Sequence, residues 1–231
     1  MEFLLQMVSQ ALERIWSGDA DVWSTVWRTL RLALESTLIA LVLGLPVGVW
    51  LGEARTRGRR IGIVLANAGL GLPPVVLGVF LALALYPSSP LGGLELLDTL
   101  TAAVIAQALL ALPIVIAITA AAVGGLPAGL LDQARAFGAS RVRRGALAVR
   151  EARVGVLAAV IAALLSALAE VGAVVIVGGN QRGSTNTLAS TILLDLSAAD
   201  PVGATADVLV LLALVAVVGG LLTIVQQRAA P

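Results

Sequence analysis

The 231-residue chain has no cysteine and no histidine, and all fifteen of its basic residues are arginine, so it has no lysine either. Without cysteine it forms no disulfides, and without cysteine or histidine it offers no thiolate or imidazole to a metal. The same gaps exclude Cys/His and Ser/His nucleophiles and a Schiff-base lysine. They also exclude a Walker-type phosphate loop, whose lysine contacts nucleotide phosphates. Work against a gradient powered by ATP would therefore need another chain to bind the ATP. No metal and no cofactor is expected, and no enzymatic activity. Charge is scarce too. Charged residues make up 13% of the chain and hydrophobic ones 59%, against about 25% and 45–50% in soluble domains. With a mean hydropathy of +1.00, the chain lacks the polar surface to cover a soluble globule. The net charge of +1 gives no hint of nucleic-acid binding.

What the chain does have is long apolar runs. A membrane-spanning helix needs about 20 mainly apolar residues, and five stretches qualify: Thr29–Gly52, Ile61–Leu85, Thr99–Val123, Val154–Val177 and Val208–Val225. The expectation is an all-α polytopic membrane protein with five transmembrane helices. Arginines set its orientation. Arg55, Arg57, Arg59, Arg60, Arg135, Arg141, Arg143, Arg144, Arg150, Arg153 and Arg228 fall on one side of a five-span arrangement. Arg14, Arg28, Arg31 and Arg182 fall on the other. The positive-inside rule then predicts the N-terminus out and the C-terminus in. Met1–Trp16 lacks the basic start of a secretory signal and carries Glu13-Arg14 within it. Phe3, Leu4, Met7, Val8, Ala11, Leu12, Ile15 and Trp16 share one helical face, opposite Glu2, Gln6, Ser9, Gln10 and Glu13. That pattern fits a helix lying in a membrane interface or packing on a neighbour. Residues 1–24 are thus expected as an amphipathic segment, and 25–231 as a transmembrane domain.

Gly69-Leu70-Gly71-Leu72-Pro73-Pro74 and Pro113 are expected to bend or break their spans, and the freed carbonyls to be met by neighbouring helices or water. Small residues allow close helix packing. The connection at 124–153 is long for a helix–helix link. Pro127 suits the first turn of a short helix. Leu130, Leu131, Ala134 and Phe137 have helical spacing. Gly138 can end that helix in the left-handed region, and Ser140 can cap a second helix. The product is a short amphipathic helix with a sharp turn behind it. It either plugs into a groove on a soluble partner or serves as a basic loop that sets topology and touches anionic lipid.

Glu170 stands in an otherwise apolar run, where a carboxylate costs roughly 2.5–3.5 kcal/mol or more at a bilayer centre. Counted from Arg153, it lies roughly 25 Å along the fourth span, away from the midplane. The Gly178-Gly179-Asn180 break follows. Glu170 either bonds backbone groups freed by a neighbouring break, or is neutral, or orders a hinge beside a translocation path. Arg28, Arg31 and Glu35 at i, i+3, i+7 offer either an Arg31–Glu35 pair or an electropositive mouth for an anion. The Ser/Thr-rich stretch from Asn180 to Asp200 reads as a flexible loop, or as one that bonds substrate or a docked protein.

Asp132-Gln133-Ala134, three residues, then Gly138-Ala139-Ser140 resembles the EAA-x-x-x-G motif of permease subunits of bacterial ABC importers. Ala134 and Gly138 keep that pattern, while Asp132 and Gln133 replace Glu and Ala. Glu151-Ala152-Arg153, Glu170–Val174, Val177–Asn180, Gly183, Thr185 and Thr187 are similar to the tungstate-importer branch of the molybdate/sulfate-type permeases. Ser166 and Asn186 stand where members of that branch commonly carry arginine. The resemblance implies a type I importer permease fold in the bacterial plasma membrane, working as a homodimer. Its implied partners are a cytoplasmic ATPase dimer and an extracytoplasmic oxyanion-binding protein, and its implied cargo is tungstate or molybdate. It implies ATPase coupling through Leu131, Asp132, Gln133, Ala134, Phe137, Gly138, Ala139 and Ser140. Glu170, Gly172, Gly178, Gly179, Asn180 and Thr185 are the candidates for the path or gate. The alternatives are an ABC permease for sulfate or another small solute, an ATP-independent secondary transporter, and a membrane scaffold without transport activity.

Overall fold

A computed structural model describes residues 2–53 and 57–229. The expectations that rest on Met1 and Arg55, and on the side chains of Glu2, Phe3, Leu4 and Arg57, lie outside the described residues. In chain order the helices are α1 (Glu2–Trp16), α2 (Ala20–Glu53), α3 (Arg57–Leu70), α4 (Pro74–Leu85), α5 (Leu100–Gly124) and α6 (Leu130–Ala136). They continue as α7 (Arg141–Glu151), α8 (Arg153–Ala169), α9 (Gly172–Gly178), α10 (Leu188–Ser197) and α11 (Pro201–Ala229). A 3-10 turn at Gly92–Leu94 precedes α5. All regular structure among the described residues is helical.

Three helices, α2, α5 and α11, are each long and apolar enough to cross a bilayer; two bent pairs raise the number of candidate spans to five. The first pair, α3 and α4, meets at 99°. Its corner is Gly71-Leu72-Pro73, where Gly71 and Leu72 donate back to Ala68 and Gly69. Pro74 opens α4, a position that needs no N–H. The break expected there is present. Pro113, expected to bend or break its span, does not break it, for α5 runs through it. A proline removes one hydrogen bond from a ladder of many, and its ring has room because Gly69 faces it without a side chain: a methyl on Gly69 would lie 2.7 Å from Pro113 Cβ. The second pair, α7 and α8, meets at 77°. The apolar run expected as one span over 154–177 is divided, with α8 ending at Ala169 and the seven-residue α9 beginning at Gly172.

The chain forms two compact units. One comprises the described residues of 1–36, 73–107 and 165–218, the other those of 37–72, 108–164 and 219–231. In the second unit a glycine seam sets the packing. Gly44, Gly48 and Gly52 recur every fourth residue and therefore line one face of α2. A methyl on Gly48 would lie 2.7 Å from Thr119 Cβ and 3.0 Å from the Ile116 carbonyl oxygen. One on Gly52 would lie 3.0 Å from the Ala120 carbonyl. The α2 and α5 backbones thus approach as closely as small-residue seams permit. Around this seam, Ala40, Ala111, Val115 and Ala163 form one apolar cluster. In the first unit α4 packs on α9 at similarly close range, with Gly78 against the Ala173 backbone and Gly172 against Val75.

Replacing Gly48 by valine forces both helices apart and is expected to destabilise the protein by about 1–3 kcal/mol. Thermal unfolding of the detergent-solubilised variant measures this; an unchanged midpoint contradicts the seam.

Candidate functional site

The loop between α5 and α8 is built as a short projecting helix on a fixed base. Pro127 lies in a turn before the helix, its carbonyl accepting from Leu130 N, rather than in the first helical turn expected for it. Gly129, at φ +90°, is the residue that precedes α6, and a proline two positions earlier only shapes the approach. The end of α6 is as expected. Gly138 takes φ +81°, and its N–H and that of Ala139 donate to the Arg135 and Ala134 carbonyls at 2.9 and 3.0 Å. This double closure is the Schellman arrangement, which glycine adopts without steric cost. Ser140 then accepts from Arg143 N at 3.3 Å and caps α7.

The base is apolar and ionic. Val49, Val123, Ala148 and Ala152 are buried together, with Leu126, Leu131 and Val149 against them. Leu131 thereby roots α6. Arg144 pairs with Glu53 at 3.0 Å, and Arg59 donates to the Leu51 carbonyl at 2.8 Å. A cavity of about 280 Å³ opens beside the root, lined by Arg59, Gly124, Pro127, Gly129, Leu131 and Asp132 among others. The apolar residues expected on one face of α6 have divided roles. Leu131 faces the base, whereas Phe137 is 90% exposed and Val142, beyond the turn, is 83% exposed. Asp132, Gln133, Gly138 and Ser140 are exposed, and Ala134 and Ala139 are half-buried. An anchored helix thus displays an aromatic tip.

The second group of candidates surrounds α9. Glu170 sits in the break between α8 and α9, and its Oε1 accepts from Ala173 N at 3.3 Å. Its carboxylate caps α9, meeting a backbone donor freed by the break at which it stands. At the other end Gly179 turns at φ +72° and Asn180 at φ +45°. A methyl on Gly179 would meet Asp98, whose own N–H donates to the Val177 carbonyl at 2.9 Å. Asn180 Nδ2 reaches the Ser190 carbonyl at 3.5 Å, and its buried Oδ1 has no hydrogen-bond partner. Thr185 Oγ1 accepts from Gln181 N at 2.8 Å. Glu170 and Gly172 therefore lie at one end of α9, and Gly178, Gly179, Asn180 and Thr185 at the other, roughly 10 Å apart. These residues bracket the seven-residue α9 and do not converge on one point.

The stretch after Asn180, expected as a flexible loop, is bonded in place. Asn186 is buried, donating to Thr191 Oγ1 at 2.7 Å and accepting from Gly183 N at 2.8 Å. Arg28 donates to the carbonyls of Asn186 and Gly183 and to Thr25 Oγ1. Thr187 and Ser190 cap α10 reciprocally. The hydroxyls that read as available for substrate or a docked protein are largely spent internally, because a buried hydroxyl left unpaired is costly. Arg31 pairs with Glu35 at 2.7 Å on an exposed face, worth about 0.2–0.5 kcal/mol.

Residues 44–231 match the family model described as the binding-protein-dependent transport system inner membrane component. The chain belongs to this family. It is 36% identical over 172 residues to a probable anion ABC transporter permease protein of Haloferax volcanii, covering 72% of this chain and 74% of that one. It is 29% identical over 194 residues to the tungstate uptake system permease protein TupB of Peptoclostridium acidaminophilum, covering 84% and 85%. To the molybdenum transport system permease protein ModB of Azotobacter vinelandii it is 34% identical over 179 residues, covering 71% and 76%. The fold matches inward-facing MetNI methionine ABC transporter, with a TM-score of 0.74 at 20% identity over 92% of this chain and 98% of that one. The chain is an ABC importer permease, a multi-pass transport component rather than an enzyme.

Features of the permease differ in how far the local sequence signals them. Asp98 and the Arg14–Asp200 pair carry no local pattern, since their partners lie far along the chain. The Gly44/Gly48/Gly52 spacing was legible and points to a close helix contact.

Two outcomes follow from this geometry. Glu170→Ala should destabilise the permease by about 1 kcal/mol through the lost cap, while Glu170→Gln keeps an acceptor and most of the stability; equal loss in both, read by thermal unfolding, contradicts capping. Gly138→Ala finds open space but must hold a left-handed backbone, costing about 1–2 kcal/mol locally. It should lower the uptake obtained per ATP hydrolysed in reconstituted vesicles, and undiminished coupling contradicts a role for this turn.

Proposed function

We propose that this permease subunit carries an oxyanion, tungstate or molybdate, into the cell with energy from ATP hydrolysed by a separate subunit. It works as a homodimer of five-span chains, N-terminus out and C-terminus in, as the arginine distribution favours. An extracytoplasmic binding protein delivers the anion and supplies most of the selectivity. The observation that carries the coupling role is the rooted α6 with its exposed Phe137, closed by Gly138 and followed by the Ser140 cap. An ATPase dimer grips this projection through Asp132, Gln133, Ala134, Phe137, Gly138, Ala139 and Ser140, while Leu131 anchors it to the base. Closure of that dimer draws the two projections together and switches the path between inward- and outward-open, a rigid-body transition.

The element bracketed by Glu170 and Gly172 at one end and Gly178, Gly179, Asn180 and Thr185 at the other serves as a hinge or gate beside the path. An ionised Glu170 repels an oxyanion, so its part is to order the break. Weak binding along the path suits a pump, since cargo must leave as readily as it enters. Similarity to relatives named for tungstate, molybdenum and anion transport supports the oxyanion class.

The test is reconstitution of the permease with its co-purifying ATPase and binding protein. ATP hydrolysis should rise with tungstate or molybdate and not with sulfate. Stimulation by sulfate alone, or uptake by the permease without any ATPase, contradicts the proposal.

A further inference from the structure

The broad apolar face of α1 is wider than one neighbour can cover, and the structure divides it. Ala11 is buried, and Met7, Arg14 and Ile15 beside it are half-buried. Leu5, Val8, Leu12 and Trp16 form a second stripe that is exposed, with Leu5 at 66% and Trp16 at 85%. Gln6, Ser9, Gln10 and Glu13 form a third, polar and also exposed. At 100° per residue these three stripes point roughly 120° apart. The helix thus shows one side to protein and displays an apolar and a polar side next to each other.

Its roll is fixed by an ionic staple. Arg14 Nε donates to Asp19 Oδ2 at 2.6 Å, and Arg14 Nη1 to Asp200 Oδ2 at 3.1 Å. Gly203 makes room for the staple: a methyl there would lie 2.7 Å from Asp195 Oδ2 and 2.9 Å from Arg14 Nη1. Arg182 pairs with Asp195 alongside. The Arg14 hydrogen bond holds the Asp19 carboxyl below its ordinary range. The backbone N–H of Gly203, then Arg14, does the same for Asp200. Both carboxylates therefore stay ionised at neutral pH, and the staple is lost only as acid protonates them below that range.

What covers the exposed apolar stripe is indicated by the neighbouring tryptophans. Three of the chain's four tryptophans fall at positions 16, 23 and 27. Trp23 and Trp27 are exposed on α2, and Leu34 continues their face along that helix. Tryptophan gathers at the edge of a bilayer, where an amphipathic ring meets both acyl chains and water. The exposed face of α1 carries Glu13, while Arg14 is engaged in the staple, so attraction to anionic headgroups does not account for its seating.

We propose that α1 lies in the plane of a membrane–water boundary, with Leu5, Val8, Leu12 and Trp16 in lipid, its polar stripe in water and its roll set by the Arg14 staple. The seating is hydrophobic and independent of lipid charge. This inference stands apart from the identity of the transported anion.

The chain has no native cysteine, so single cysteines at positions 5, 8, 9, 11, 12 and 13 can each carry one nitroxide. The permease assembled with its ATPase partner is placed in phosphatidylcholine bilayers, with and without phosphatidylglycerol. Collision rates with oxygen and with a water-soluble nickel chelate are then compared. Oxygen should dominate at 5, 8 and 12, the chelate at 9 and 13, and neither should reach 11, in both lipids. Chelate access at 5, 8 and 12 equal to that at 9 and 13 overturns the proposal. So does shielding of 5, 8 and 12 from both reagents, which would place a second copy or another protein on the stripe. A pattern that appears only with phosphatidylglycerol overturns the charge-independent seating.

Discussion

In hydrocarbon no water meets a free amide or carbonyl, so each helix break must carry its own hydrogen-bonding partners. This constraint explains most of what is unusual in the chain. At the α3–α4 corner the backbone turns through 99° on Pro73 and Pro74, which have no N–H to leave unpaired. Between α8 and α9 the freed Ala173 N–H is met by Glu170. Beyond α9, Gly179 and Asn180 turn the chain in the left-handed region, and Asp98 closes on the Val177 carbonyl. A glutamate in an apolar run is therefore explained by the break it caps.

Glycine has two separate roles in this molecule. At Gly129, Gly138 and Gly179 it supplies positive φ, and the chain can reverse at both ends of α6 and after α9. At Gly48, Gly52, Gly69 and Gly78 it supplies absence of volume, letting one helix approach the backbone or ring of another. The first kind shapes the projecting loop that a partner can grip. The second kind keeps helices close-packed within each unit.

The legible parts of the fold were those encoded by local chemistry. Hydropathy marked the long helices, the Gly-Pro run marked the α3–α4 corner, and Gly138 and Ser140 marked the turn between α6 and α7. Pro113 does not break α5 because one lost hydrogen bond is small within a 25-residue helix whose neighbour leaves space for the ring. Pro127 misled because Gly129, not the proline, sits at the helix boundary. The division at Glu170 was hidden because valine and alanine continue the apolar run on both sides, and hydropathy does not register a backbone break. The order of the 180–187 loop was hidden for a different reason. Its Ser, Thr and Asn residues look like solvent-facing groups until Arg28, more than 150 residues earlier, donates to the carbonyls of Asn186 and Gly183. The Arg14 staple has the same character, joining groups 186 residues apart.

The central claim is that an anchored loop with an exposed aromatic tip is the handle through which another chain drives this permease. The most direct measurement places a single cysteine at position 137 and follows its labelling by a membrane-impermeant thiol reagent in inside-out vesicles. The permease alone should label readily, and assembly with its ATPase should protect the site. Equal labelling in both states, or labelling only from the opposite face of the membrane, contradicts the account.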